Sequence, residues 1–313
     1  MTQQQREALD TIFRNGALDI GGDPAVQREV FTGMLTSRPL PDDVILTPSV
    51  IGGVPVLEVE VEVEVEVEPV GTLLWFHGGF YVLGSPRTSA ALASDVARRT
   101  GMKVISVDYR LAPEHPYPAA LDDAVAVYRA ILASAEGRNS GRDVVPDPGR
   151  IAVVGESAGA GLAAALLVAA RDQGLAMPAA AVLFSPYADL TLSGDSMKTK
   201  ADVDPSFTAE AIARRAVDYV ADADPADPSI SPVFADLRGL PPLLIQVGTH
   251  ELLLDDAVRL AARAAAADVP VSLEVTPGVP HLFQAFAAML DEGDAALVRV
   301  AEFLAASLVA TRS

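Results

Sequence analysis

The stretch "IAVVGESAGAG", residues 151–161, decides the fold. A short apolar run leads into Gly155-Glu156-Ser157-Ala158-Gly159, and a train of small residues follows. This is the pattern of a strand, a tight turn and a helix. A Gly-x-Ser-x-Gly turn in that setting is a nucleophile elbow, which holds its serine at the carboxyl end of a sheet. Gly155 and Gly159 are small because the strained turn brings neighbouring backbone close. The start of the helix directs N–H groups and a positive dipole end toward Ser157. The five-residue pattern is weak alone and strong between a strand and a helix.

The same alternation extends outward. Apolar runs of strand length recur at 72–76, 103–107, 180–184, 243–247 and 271–275. Between most of them lie helical patterns: 87–100 closing on Gly101, 120–135 with Leu121, Val125, Tyr128 and Leu132 on one face, and 157–172 closing on Gly174. Near-continuous apolar strands alternating with helices predict an α/β fold whose mostly parallel sheet is covered on both faces.

Two regions break the alternation. Residues 1–40 contain a helix opened by Asp23-Pro24, with Val26, Val30, Phe31, Met34 and Leu35 as an apolar stripe. Residues 190–235 are rich in Asp and Pro, with a helical centre near 208–221. Both read as a lid over one end of the sheet. The chain accordingly divides into 1–45 and 190–232 as the two parts of a cap, and 46–189 and 233–313 as the two parts of the sheet domain.

The run "LEVEVEVEVEVE", residues 57–68, puts every Val on one face of a strand and every Glu on the other. Glutamates on one side are roughly 6.5–7 Å apart and hold that side in water. The expectation is an outer antiparallel strand whose charges discourage edge-to-edge pairing.

A second chemical signal, "WFHGGFYVLGS" (75–85), also follows a strand directly. Consecutive glycines let backbone N–H groups face a substrate oxygen unobstructed. Gly78 and Gly79, with the N–H of Ala158, form a candidate oxyanion hole. The general base comes from four histidines. His77 precedes the serine and reads as a loop-ordering residue, and His115 lies in a Pro-rich connection. His250 is crowded among acids. His281 follows the last strand, so Ser157, an acid within 251–256 and then His281 give the order nucleophile, acid, base.

These stretches, with "VDYRLAPEHPYPAALDDA", "FSPYADLTLSGDS", "PPLLIQVGTHELLLDDA" and "PGVPHLFQAF", resemble the hormone-sensitive-lipase-like bacterial carboxylesterases of the α/β-hydrolase superfamily. They occur in that family's order and span residues 72–290. The resemblance implies an α/β-hydrolase fold with a helical cap and hydrolysis of short-chain esters, some similar proteins opening lactones instead. It places the triad acid at Glu251. That position lies just past Gly248, taken as the end of the strand, whereas Asp255 and Asp256 fall in the first turns of the next helix, where acids favour the dipole. The chain departs from the family in three ways. Phe80 stands where a third glycine is common, Glu156 where Asp is frequent, and Glu251 where the acid is usually Asp.

The reading is therefore a serine esterase with Ser157, Glu251 and His281 as triad, and with Phe80, Tyr81 and Met34 as substrate-pocket candidates favouring small acyl groups. A lactone hydrolase using the same triad is the alternative. A binding protein on a retired hydrolase fold is disfavoured because all three triad positions are filled. No cofactor is required and no convincing metal site is present in the sequence.

Composition narrows the partners. The net charge of −19 argues against nucleic acid and anionic membranes. The absence of cysteine rules out disulfides and thiolate chemistry. The N-terminus "MTQQQREALD" lacks the pattern of a secretory signal. The expectation is a soluble, cytoplasmic enzyme acting on a small ester, with dimerisation suggested by the resemblance alone.

Overall fold

The apolar runs become strands. The computed structural model describes residues 2–14, 18–62, 69–136 and 148–310. Among these the strands are β1 (Val44–Ile51), β2 (Val54–Val61), β3 (Thr72–Phe76), β4 (Lys103–Val107), β5 (Ile151–Glu156), β6 (Ala180–Phe184), β7 (Leu243–His250) and β8 (Val271–Pro280). The helices are α1 (Gln3–Arg14), α2 (Pro24–Leu35), α3 (Pro86–Thr100), α4 (Ala119–Glu136), α5 (Ala158–Asp172), α6 (Ser196–Thr199), α7 (Ala209–Val220), α8 (Leu254–Ala266) and α9 (Asp291–Ala310).

All eight strands join one sheet in the order β1-β2-β4-β3-β5-β6-β7-β8. β2 runs antiparallel to both β1 and β4, and the remaining pairs are parallel. Every residue of β3, β5 and β6 is buried, because helices cover both faces. Leu74 and Phe76 of β3 pack with Ala124 and Tyr128 of α4 and Leu162 and Leu166 of α5. The alternate residues Leu73 and Trp75 pack with Leu92 and Val96 of α3 and Leu297 and Leu304 of α9. That division is the two-residue period of a strand expressed as two cores. α3 stops at Gly101 as expected, since this residue adopts φ +66° while its N–H closes on Ala97 O.

Several expectations need correction. The Val-Glu strand is antiparallel but not outermost, because β1 pairs along its whole length and takes the edge position. Its glutamates are not simply solvated: Lys103 of β4 pairs with both Glu58 and Glu60. Residues 63–68 of the run lie outside the described residues. Residues 1–40 hold two helices rather than one. α1 escaped notice because it starts in the polar run Gln3-Gln4-Gln5, yet Leu9 is buried with Val279, Phe283 and Leu290. The α2 stripe is not packed as a stripe: Val26, Met34 and Leu35 are exposed, whereas Gln27 is buried. Gly248 does not end its strand, since β7 continues to His250 through a register shift against β8.

Candidate active site

Ser157 stands between β5 and α5 with φ +55° and ψ −120°, a conformation that side-chain-bearing residues rarely adopt. Two hydrogen bonds hold it there. Its N–H donates to Phe184 O at the end of β6 (2.8 Å), and its carbonyl accepts the Tyr187 N–H (3.0 Å). The glycines permit close approach. A Cβ on Gly155 would lie 2.2 Å from Gly159 O, and one on Gly159 would lie 2.1 Å from Phe76 O and 2.5 Å from His77 O. The nucleophile strand and the strand feeding the Gly-Gly loop thus touch through the elbow glycine.

Glu251 and His281 meet at the ends of β7 and β8. The acid is fully buried, with 0% of its surface accessible. Its Oε1 accepts the Gly248 N–H (2.7 Å) and the Ser185 hydroxyl (2.9 Å), while Oε2 accepts the His281 Nδ1–H at 2.7 Å. A proton fixed on Nδ1 leaves Nε2 of the neutral ring as the basic atom. Nε2 is buried and makes no hydrogen bond. It is the free end of the acid–histidine pair.

The neighbouring acids serve the scaffold. Asp255 accepts the Ser196 N–H (2.8 Å), and Asp256 accepts the N–H groups of Ala188 (2.8 Å) and Asp189 (2.9 Å). Burial pushes the Asp256 carboxyl up to about 8. Both stand in the first turn of α8 as expected, but they anchor neighbouring loops rather than merely facing the helix dipole. His250 pairs in register with Pro280 in the sheet.

The Gly-Gly loop is organised around His77. Its Nδ1–H donates to Gly78 O (2.8 Å), its ring stacks on Tyr109 at 4.2 Å and 9°, and Tyr109 donates its hydroxyl to His77 O (2.8 Å). Burial lowers the imidazole pKa to about 4, so the ring is neutral and structural. Beyond it the chain turns through three residues of positive φ: Gly79 at 120°, Phe80 at 57° and Tyr81 at 62°. Phe80 therefore occupies a conformation that glycine adopts without a Cβ penalty. Its ring meets Tyr187 edge-on at 5.6 Å and Phe207 at 4.9 Å, and Tyr81 stacks on Tyr219 of α7 at 3.8 Å.

Glu156, which the sequence left without a role, is buried beneath this loop. It accepts hydrogen bonds from Trp75 Nε1 (3.3 Å) and from the Ser89 hydroxyl. Burial raises its pKa, opposed by Ser89, Trp75 and the nearby Gly78 N–H. The elbow acid thus braces the Gly-Gly loop against α3.

The two additions converge near the site. Arg28 of α2 donates from Nε to Val82 O (2.8 Å) and from Nη2 to Ala112 O (2.7 Å), and it pairs with Glu114 at 2.6 Å. Ile20 and Ile212 share one cluster with Phe80 and Tyr81, and Arg214 donates to Gly21 O (3.2 Å). Phe207, from the loop before α7, lies edge-on to His281 at 5.0 Å and 69°. Met34, by contrast, sits on the exposed side of α2 with 40% of its surface accessible. Sequence reasoning missed Ser185 and Phe207. Ser185 follows β6 as Ser157 follows β5, which is a positional signal, whereas Phe207 sits in an irregular Asp- and Pro-rich loop with no periodicity to mark it.

Residues 73–285 match the family model for the alpha/beta hydrolase fold. An acetyl-hydrolase of Streptomyces hygroscopicus is 43% identical over 233 residues, covering 74% of this chain and 75% of that protein. An esterase of Acinetobacter venetianus is 43% identical over 228 residues, covering 72% of each chain. The crystal structure of an esterase from the bacterial hormone-sensitive lipase family superposes with a TM-score of 0.90 at 40% identity, covering 98% of this chain and 99% of that one. The serine turn after β5 and the acid–histidine pair after β7 and β8 fall inside the matched span, and the chain belongs to the alpha/beta hydrolase fold family, on its bacterial hormone-sensitive-lipase branch.

Proposed function

We propose that this carboxylic ester hydrolase is a serine esterase acting on short acyl chains through an acyl-enzyme. The observation that carries this reading is the His281 Nδ1–Glu251 Oε2 hydrogen bond of 2.7 Å, which leaves Nε2 free at the same carboxyl end of the parallel strands as the strained Ser157 turn. Ser157 Oγ attacks the ester carbonyl while His281 Nε2 takes the hydroxyl proton. Glu251 holds the ring in the Nδ1–H tautomer and stabilises the imidazolium. The N–H groups of Gly79 and Ala158 meet the oxyanion, with Gly78 shared between that role and Glu156. Collapse of the tetrahedral adduct breaks the C–O bond to the alcohol, which leaves with the proton from Nε2. Water then attacks the acyl-enzyme, giving up a proton to Nε2, and Ser157 Oγ departs with that proton as the acid is released.

The short-acyl preference rests on Phe80 and Phe207, whose bulk stands between the Gly-Gly loop and His281. The relative from Streptomyces hygroscopicus named an acetyl-hydrolase is in keeping with it. The cap reading for residues 1–45 and 190–232 rests on Arg28 bonding Val82 O and on Phe207 and Tyr219 packing against Phe80 and Tyr81. A series of p-nitrophenyl esters from about two to twelve acyl carbons tests the proposal. The expected outcome is a maximum at the short end and loss of the alcohol burst in Ser157→Ala. A maximum at roughly ten carbons or more overturns the short-acyl reading, and turnover that survives Ser157→Ala overturns the triad.

A further inference from the structure

Asp204 lies in the insertion between β6 and β7, outside the triad, and is buried although it carries an acid. Its two oxygens reach different parts of the protein. Oδ2 accepts the N–H of Leu252, the residue after the triad acid, at 2.8 Å. Oδ1 accepts the N–H groups of Ser206 (2.7 Å) and Phe207 (3.1 Å). Phe207 in turn rests edge-on against His281 at 5.0 Å and against Phe80 at 4.9 Å. One carboxylate therefore ties the loop carrying Glu251 to the turn that sets an aromatic ring on His281.

Burying a carboxylate is costly unless its oxygens are satisfied, and a surface turn could be built without that cost. Within the insertion alone, an Asx turn would use only Oδ1. The bond from Oδ2 to Leu252 adds nothing to the turn and joins it to the acid loop. We propose that Asp204 is a positioning residue for ester hydrolysis, holding the cap turn over the substrate and the Glu251–His281 pair in alignment with the same carboxylate. When the turn seats, Phe207 closes one side of the site while the acid loop is held in the geometry that orients His281. When it lifts, both are released together. The inference rests on the triad proposed above.

The test uses the full chain with p-nitrophenyl acetate and p-nitrophenyl octanoate, comparing wild type, Asp204→Asn, Asp204→Ala and Phe207→Leu. Asn retains one acceptor and presents an NH2 group to the other set of N–H donors, so it can hold one partner but not both. Misplacement of about 1 Å can cost on the order of 10²-fold in rate. The expected result is a fall in kcat of roughly 10- to 100-fold for acetate in Asp204→Asn, at least as large in Asp204→Ala, with KM changed by less than about threefold. Phe207→Leu, which leaves the carboxylate in place, is expected to lose less kcat and to accept octanoate better. Wild-type kcat in a folded Asp204→Asn overturns the proposal, as does a rise in KM with kcat unchanged. A kcat loss that vanishes when each variant is assayed equally far below its own Tm assigns Asp204 to stability alone and also overturns it. Should neither Asp204 variant fold, wild-type kcat and acyl profile in Phe207→Leu overturn it. Ser157→Ala runs in parallel: turnover surviving that change would defeat the triad itself, whatever Asp204 does.

Discussion

Phe80 and Phe207 meet edge-on, with ring centroids 4.9 Å apart and planes at 86°. One comes from the loop after β3 and the other from the insertion between β6 and β7, so their contact joins that loop to the insertion. Phe80 holds this place at φ +57°. Phe80→Gly removes the ring and relieves the backbone at once. The expected outcome is a folded enzyme whose acyl preference broadens toward longer chains, measured as kcat/KM across a p-nitrophenyl ester series. An unchanged profile would show that the ring does not limit the acyl group.

Glu251→Gln should separate the proposed triad acid from its neighbours. The Gln carbonyl can accept from Gly248 and Ser185, but its NH2 then faces His281 Nδ1 and favours the wrong tautomer. Turnover is expected to fall by roughly 10³–10⁴-fold with the fold retained. Asp255→Asn disturbs the hydrogen bond to Ser196 and is expected to change Tm more than kcat. Normal kcat in Glu251→Gln together with lost kcat in Asp255→Asn would transfer the role to Asp255.

His77 predicts an acid limb in stability. Burial holds its folded pKa near 4, below the ordinary 6.5, so the unfolded chain binds a proton between these values and the native state does not. Stability from this group is complete above about pH 6.5 and is lost as pH falls toward 4, by on the order of 3 kcal/mol. Urea unfolding at pH 7, 5.5 and 4.5 should trace that slope, and His77→Asn should flatten it. An equal slope in the variant would place the acid sensitivity in other groups.

Glu156 should act through the groups it satisfies. Glu156→Ala strands two buried donors, Trp75 Nε1 and the Ser89 hydroxyl, each worth about 1–3 kcal/mol when left unpaired. Glu156→Gln keeps an acceptor for both. Chemical denaturation is expected to rank the variants wild type, Gln, Ala, with the Ala protein clearly weakest. Equal stability of Gln and Ala would mean that those hydrogen bonds contribute little.

The parts of the candidate site that lie at strand ends are marked in the sequence, because strand, turn and helix each leave a local pattern. Ser157 and His281 follow directly from "IAVVGESAGAG" and from the histidine after the last strand. Glu251 needed a family resemblance to be chosen among three nearby acids, since its selection depends on where β7 bends. β7 continues through Gly248 to His250, a register shift that no apolar run announces. The least legible elements are those stabilised by distant partners. Leu9 makes α1 a packed helix only because Val279 and Phe283 are waiting for it. Asp204 looks like one more loop acid until Leu252, 48 residues away, is seen to donate to it. Nothing local distinguishes the exposed Met34 from a pocket residue either.

Gly159 has a further consequence. A methyl group on it would lie 2.1 Å from Phe76 O and 2.5 Å from His77 O, so the gap between nucleophile and Gly-Gly loop is a spacer set by a missing side chain. That floor cannot be varied gradually, because even Ala at 159 forces the start of α5 away from the end of β3. The other side has no such constraint: Phe80 and Phe207 stand on loops and contribute side chains that can be exchanged one at a time. A lineage built on this plan would diversify its substrates from above while its chemistry stays fixed from below, and a laboratory library aimed at new esters should be drawn the same way.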